Sequence, residues 1–264
     1  FPTRRSSDLL IRSLMLPLKT HYLQSILITT NKAVFYTHSS NKGVKQLKNK
    51  QTIVVLDFET GSADPRTTEP IQIAAIAINP STLEIYEKTA FDSLMKPKNF
   101  DALQDEALKV NGKTREMLEA APERSIVWKN FLTWVKQFNP SGKYWSAPIM
   151  AGHNIIGFDW IIYERLCHEF GNLDKDKQPN LFSTYMRLDT LPLLFTWFEA
   201  SDDLPKYKLD VIRDHFGMSK DGAHDALVDV IQTAQILCRF LKFQRDLYKV
   251  HGQKFKGCFS KPKS

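Results

Sequence analysis

Four acidic residues and a histidine, spread over three short segments, are the groups in this 264-residue chain whose types and spacing could do chemistry. Asp57 and Glu59 stand in VVLDFETGS, Asp159 in GHNIIGFDW, and His224 with Asp229 in GAHDALVDV. The apolar run Ile53-Val54-Val55-Leu56 has the character of a buried strand, and the first two carboxylates follow it directly. Side chains two apart on a strand share a face, so Asp57 and Glu59 project together. Two carboxylates in a low-dielectric cleft repel, and one protonates unless a cation lies between them. A hard divalent cation takes oxygen ligands, so this pair reads as a seat for Mg²⁺ or Mn²⁺.

Taken singly, each segment also has an ordinary structural reading. The DxE pair can be a solvated strand end with Gly61 as a turn residue. Asp159 can favour a helix N-terminus at a loop-to-helix junction, and Asp225 can cap the next helix with Asp229 as a first-turn acid. The joint occurrence of the three segments, in this order and within about one domain's length, points instead to a metal-dependent site that cleaves phosphodiesters.

Asp57-Phe58-Glu59-Thr60-Gly61, His153-Asn154 with Phe158-Asp159, and His224 through Asp229 together resemble the three motifs of the DnaQ-like exonucleases of the DEDDh group. That family includes the proofreading epsilon subunit of bacterial DNA polymerase III. The resemblance runs from about Lys50 to Arg245 and takes in LMKPKNFDALQDEALKVNGKTREML between the first two motifs. In that segment Asn111 and Lys113 replace the histidine and isoleucine usual in the family, which leaves its nucleotide contacts open. A sister group carries tyrosine four residues before the last aspartate; Asp225 stands there, and His224 selects the histidine group.

The residue types imply two-metal hydrolysis, with two cations about 4 Å apart clamping the scissile phosphate. By resemblance, Asp57, Glu59 and Asp229 hold the cation on the nucleophile side. Asp57 bridges to the second, which Asp159 reaches directly or through water. His224, expected on a mobile loop, is the general base, since a neutral imidazole titrates near physiological pH and can accept a proton from the attacking water. Thr60 and Gly61 are expected against the terminal nucleotide, where a small residue lets backbone amides approach closely. His153 and Asn154 are expected to contact substrate, and Phe158 either packs on a base or sugar or belongs to the core. The resemblance implies a 3′-5′ exonuclease that releases nucleoside 5′-monophosphates from nucleic acid with a free 3′ end. DNA is favoured over RNA, with a separate polymerase as a possible partner. Two other readings are an exoribonuclease acting on short or structured RNA ends and a non-catalytic nucleic-acid-binding relative.

Composition fits one α/β domain: 42% hydrophobic and 25% charged residues suffice for a sizeable core and exclude a disordered chain. The net charge of +7 is unevenly placed. Residues 1–50 carry nine Lys/Arg against one acid and residues 242–264 seven against one, leaving the middle with 20 Lys/Arg, 27 Asp/Glu and a charge of −7. Salt-sensitive affinity for nucleic acid is therefore expected in the basic ends rather than in the acidic domain. Cys167, Cys238 and Cys258 lie far apart without metal-ligand spacing and read as reduced thiols. No run approaches the ~18 consecutive apolar residues of a membrane span. The reduced thiols and the family resemblance imply the cytoplasm of a bacterial or phage-infected cell as the expected setting.

The elements that must position these groups are legible in outline. Residues 1–9, FPTRRSSDL, match the translation of a sequencing-adapter oligonucleotide and are set aside. Residues 10–49 read as a basic extension or linker, 50–245 as the exonuclease domain and 246–264 as a basic C-terminal tail. Strands are expected at Ile53–Phe58, Ile71–Ile78, near Leu83–Leu94 and at Pro148–Ala151, with Asn79-Pro80-Ser81 as a turn. Helical patterns cover Leu103–Val110, Glu123–Phe138, Asp159–Phe170, Thr190–Phe198, Lys208–Phe216 and Asp225–Tyr248. Asp189 is read as the cap of the helix that begins Thr190-Leu191-Pro192. The expected fold is α/β, a mixed five-stranded sheet flanked by helices in the ribonuclease-H-like arrangement of the family.

Overall fold

The computed structural model describes residues 51–258, with side chains through His251. The expected adapter residues 1–9, the extension 10–49 and the end of the basic tail lie outside the described residues. Five strands, β1 (Ile53–Thr60), β2 (Pro70–Ile78), β3 (Phe91–Leu94), β4 (Ile149–Gly152) and β5 (Arg187–Asp189), form one sheet in the order β3-β2-β1-β4-β5. β1 pairs antiparallel with β2 and parallel with β4, while β3 is antiparallel to β2 and β5 parallel to β4. The sheet is mixed and five-stranded, as expected. Seven helices complete the described fold: α1 (Asp105–Val110), α2 (Arg115–Glu119), α3 (Arg124–Lys136), α4 (Asp159–Phe170), α5 (Thr190–Phe198), α6 (Leu209–His215) and α7 (Ala226–Cys258).

Alternation along β1 sorts its side chains between two cores. Val54, Leu56 and Phe58 join Trp128 and Phe131 of α3 and Ile162 and Tyr163 of α4. Ile53 and Val55 join Ala226, Val230, Ala234 and Leu237 of α7. Trp128 with Phe131, and Ala226 with Val230, Ala234 and Leu237, follow the three-to-four-residue spacing that gives one apolar stripe per helix. Trp128 and Phe131 are almost wholly buried, so truncating either to alanine is expected to cost about 3–5 kcal/mol. A smaller core gathers Leu194 and Phe198 of α5, Ile212 of α6 and Ile236 of α7.

Helix ends obey local chemistry. Asp189 accepts a hydrogen bond from Leu191 N and so caps α5, with Pro192 tolerated in the first turn. α4 stops at Gly171, whose φ of 71° is left-handed.

Several boundaries differ from the sequence reading. The third strand shrinks to Phe91–Leu94, preceded by a 3₁₀ turn at Glu87–Thr89 and a lone bridge between Ile78 and Ile85. Leu103 is extended rather than helical, and α1 starts two residues later. α2 and β5 were not anticipated: five and three residues are too few to show a period. α7 continues past Tyr248 to Cys258, so the expected boundary at 245/246 falls inside a continuous helix. The next proline is Pro262, and Gly252 and Gly257 each cost a helix only about 1 kcal/mol. Cys167 and Cys238 are free thiols. Among the described residues, no helix is long and apolar enough to cross a membrane.

Candidate active site

Strand alternation carries the β1 face of Ile53 and Val55 onward to Asp57 and Glu59, so both carboxylates emerge on the side covered by α7. Asp229 lies three residues after Ala226, on the same sheet-facing stripe of α7. Strand and helix therefore converge: Asp57, Glu59 and Asp229 each offer an oxygen, all within 4.8 Å of one another.

Burial and mutual repulsion dominate this cluster. Burial, then the neighbouring Asp229, push Asp57 up to about 7, against the lowering influence of Arg213. Burial, then Asp57 and Asp229, push Glu59 up to about 9. Asp229 is also raised by burial, opposed by Arg213 and by the imidazole and main-chain N–H of His224. A set of hard oxygen donors that resist ionisation together fits a divalent cation, which relieves the conflict by favouring the charged forms.

Asp159, at the first position of α4, is buried, and its Oδ1 accepts the main-chain N–H of Phe58 at 2.9 Å. β4 pairs with β1 only as far as Val55, so the carboxylate takes a strand-edge donor beyond the end of that ladder. Burial and then Asp57 hold Asp159 well above the usual carboxylate range. It lies outside the group of three close oxygens but faces the same cleft. His224 ends the turn before α7 with a left-handed φ of 65°, uncommon for a residue with a side chain. It lines the cleft with Asp229 while its Nε2 lies 3.4 Å from Asp210 Oδ2. Asp225 caps α7 by accepting Leu227 N at 3.1 Å.

The expected substrate residues divide. His153, Asn154 and Phe158 line the cleft. Both ring nitrogens of His153 are engaged, Nδ1 with Thr190 Oγ1 at 2.9 Å and Nε2 with the Tyr207 carbonyl at 2.8 Å. A carbonyl only accepts, so Nε2 carries the hydrogen, and burial lowers the pKa of the ring. Asn154 turns the chain with φ 59° and donates its N–H to Asp189. Phe158 is part of the cleft wall and packs on the main core.

Thr60 and Gly61 do not line the cleft. Thr60 Oγ1 donates to the Ser62 carbonyl, and the Thr60 carbonyl accepts Asn111 Nδ2, both at 2.9 Å. The Gly61 N–H is spent on the Glu69 carbonyl, and a Cβ there would meet Leu103 Cδ2 at 2.3 Å. Leu103 thus packs where a Gly61 side chain would stand, and the Gly61 amide is already engaged within the protein.

Four participants escaped the sequence reading. Arg213, wholly buried, donates to Asp229. Asp210 faces His224. Lys113 pairs with Asp225 at 3.1 Å and opposes the rise of Glu59. Asp189 accepts the N–H groups of Asn154 and Ile156 as well as capping α5, and so shapes the second motif's loop. Tyr207, Lys208, Leu209 and Leu191 complete a cleft of about 530 Å³ around Asp57, Glu59, Asp159, His224 and Asp229. An arginine on an amphipathic helix ordinarily reads as solvated; only the tertiary structure reveals its carboxylate partners.

Comparison with known proteins matches the exonuclease family over residues 54–237. DNA polymerase III subunit epsilon of Aquifex aeolicus is 27% identical over 216 residues, covering 81% of this chain and 92% of that protein. The PolC-type DNA polymerase III of Thermotoga maritima is 27% identical over 196 residues, which is 74% of this chain but only 12% of that polymerase. Among solved structures, E. coli Exonuclease I in complex with a dT13 oligonucleotide superposes with a TM-score of 0.56 at 18% identity. That alignment covers 80% of this chain and 44% of Exonuclease I, and it establishes likeness of fold.

Proposed function

The chain belongs to the exonuclease family, and we propose that it hydrolyses nucleic acid from the 3′ end, single-stranded DNA in preference, releasing nucleoside 5′-monophosphates. The observation that carries this reading is the convergence of Asp57, Glu59 and Asp229 within 4.8 Å on a cleft that Asp159 and His224 also line. Asp57, Glu59 and Asp229 would hold one divalent cation, Mg²⁺ or Mn²⁺, and Asp57 with Asp159 would hold a second. Bound there, such ions would supply Lewis-acid stabilisation of the charge that develops on the phosphate and on the leaving 3′ oxygen.

The chain's own residues supply the remainder. His224 accepts the proton of the attacking water, and its exposure on a turn gives the ring room to reach it. His153, fixed through both nitrogens, and Asp189 hold the loop that presents Asn154 and Phe158 to the terminal nucleotide. Lys208, on the cleft wall, offers a cation for the phosphate backbone. The dT13 bound to Exonuclease I supports single-stranded DNA as substrate, and the epsilon relative supports a separate polymerase as partner.

Labelled single-stranded DNA, duplex DNA and RNA of equal length, incubated side by side with Mg²⁺, test the assignment. Single-stranded DNA is expected to be consumed fastest. Faster loss of RNA would move the substrate to RNA ends, and survival of all three would leave a non-catalytic binding protein.

A further inference from the structure

Arg213 is fully buried, and its three guanidinium nitrogens go to three different partners. Nε donates to Gln232 Oε1, Nη1 to Asp210 Oδ1 at 2.8 Å and Nη2 to Asp229 Oδ1. Asp210 and Arg213 are three residues apart on α6, so they share a face of one helical turn. Gln232 and Asp229 have the same spacing on α7, and Gln232 is itself anchored by donating to the Ser219 carbonyl at 2.8 Å. One buried cation thus joins a metal-ligand carboxylate to a second carboxylate. The free oxygen of that second carboxylate, Asp210 Oδ2, faces His224 Nε2 at 3.4 Å. Such a distance is within ion-pairing reach and slightly long for an N–H···O bond, so a small rotation of the half-exposed imidazole closes it.

We propose that Asp210 is a positioning residue for His224, held in place by Arg213, which through its other arm fixes Asp229. The inference deepens the proposed reaction and rests on the reading of His224 as general base. A carboxylate facing Nε2 favours the tautomer with hydrogen on Nε2 and leaves Nδ1 as the basic nitrogen. With Nε2 so engaged, Nδ1 is the nitrogen left to accept the proton of the attacking water. The His224 side chain is 41% exposed, so a partner facing one ring nitrogen limits the orientations that the ring can take. Arg213 keeps Asp210 from turning to solvent, and the same guanidinium sets the distance between the metal seat and the proton acceptor.

A double-mutant cycle over Asp210→Asn and His224→Ala tests this, with kcat and KM measured on single-stranded DNA at saturating Mg²⁺. Asp210→Asn is expected to lower kcat about ten-fold or more, with KM within about two-fold, and to add nothing in the His224→Ala background. Equal losses in both backgrounds would overturn the proposal while leaving His224 as the base; full kcat in His224→Ala alone would instead overturn the general-base reading. Asp210→Asn keeps an acceptor for Arg213 Nη1 but removes a counter-charge from a wholly buried guanidinium, so it is expected to fold with a somewhat lower melting temperature, and Asp210→Glu is expected to recover part of kcat. Imidazole ¹⁵N shifts of the metal-free protein, with the His224 ring identified by its loss in His224→Ala, give a second readout. The wild type is expected to show the Nε2–H form and Asp210→Asn a mixture of tautomers; identical spectra would overturn the proposal.

Discussion

The main-chain N–H of Phe58 donates to the Asp159 carboxylate at 2.9 Å, joining the first and second motifs across 101 residues of sequence. One side chain thereby closes a strand edge and contributes charge to the cleft, two roles that substitution can separate. Asparagine keeps the Oδ1 acceptor and loses the charge. Asp159→Asn is expected to lose activity by about 10²-fold or more while melting no lower than wild type in chelator. Asp159→Ala also leaves the buried N–H unpaired, at a cost of about 1–3 kcal/mol offset in part by removal of a buried carboxylate. Paired activity assays and thermal melts separate the two roles; equal activity in Asp159→Asn and wild type would remove Asp159 from the site.

Metal-free stability should fall as pH rises. Asp57 is held near 7 and Glu59 near 9, above their values in an unfolded chain. Between an unfolded pKa of about 4 and those folded values, the native state binds more protons than the unfolded one, so stability decreases with pH across that window. Melts in chelator from pH 5 to pH 9 are expected to show a declining midpoint, and Mg²⁺ to stabilise increasingly toward pH 9. Asp57→Asn is expected to flatten the chelated curve. A midpoint rising steadily over the same range would contradict the electrostatics of the cluster.

How much of this was legible in the sequence depended on the distance between partners. The apolar run before Asp57 announced β1, and its alternation placed Asp57 and Glu59 on one face. The spacing of Ala226, Val230 and Ala234 likewise carried Asp229 onto the sheet side of α7. Those are local periodicities; the grouping of Asp229 with Asp57 and Glu59 came instead from the resemblance of the three motifs to the family. Arg213 and Asp210 stayed hidden because their meaning lies in contacts between helices: 16 residues separate Arg213 from Asp229. The packing of Leu103 on Gly61 stayed hidden for the same reason, since the two lie 42 positions apart and Leu103 reads in sequence as the start of a helical pattern. β5 was invisible as three residues, yet it delivers Asp189 to the loop of the second motif.

Basic character at the chain's end predicts a separable contribution to affinity. Residues 242–264 hold seven Lys/Arg against one acid. Deleting residues 250–264 is expected to weaken binding to long single strands and flatten its salt dependence, by about 0.7 in slope for each phosphate that the tail no longer neutralises. Turnover of a very short oligonucleotide is expected to stay nearly unchanged, because Asp57, Glu59, Asp159, His224 and Asp229 all precede the deletion. Binding titrations over a range of salt check this, and identical slopes for both proteins would assign the tail no part in binding.

The measurement closest to the central claim is digestion of a 5′-labelled single-stranded DNA beside a circular single strand, with Mg²⁺, with excess chelator, and with Asp57→Ala. A metal seat formed by Asp57, Glu59 and Asp229 in a 3′ exonuclease predicts a ladder shortening from the 3′ end with Mg²⁺ or Mn²⁺. It also predicts an intact circle, and loss of nearly all cleavage in chelator and in the variant. Cleavage of the circle, or undiminished digestion in excess chelator, would contradict it.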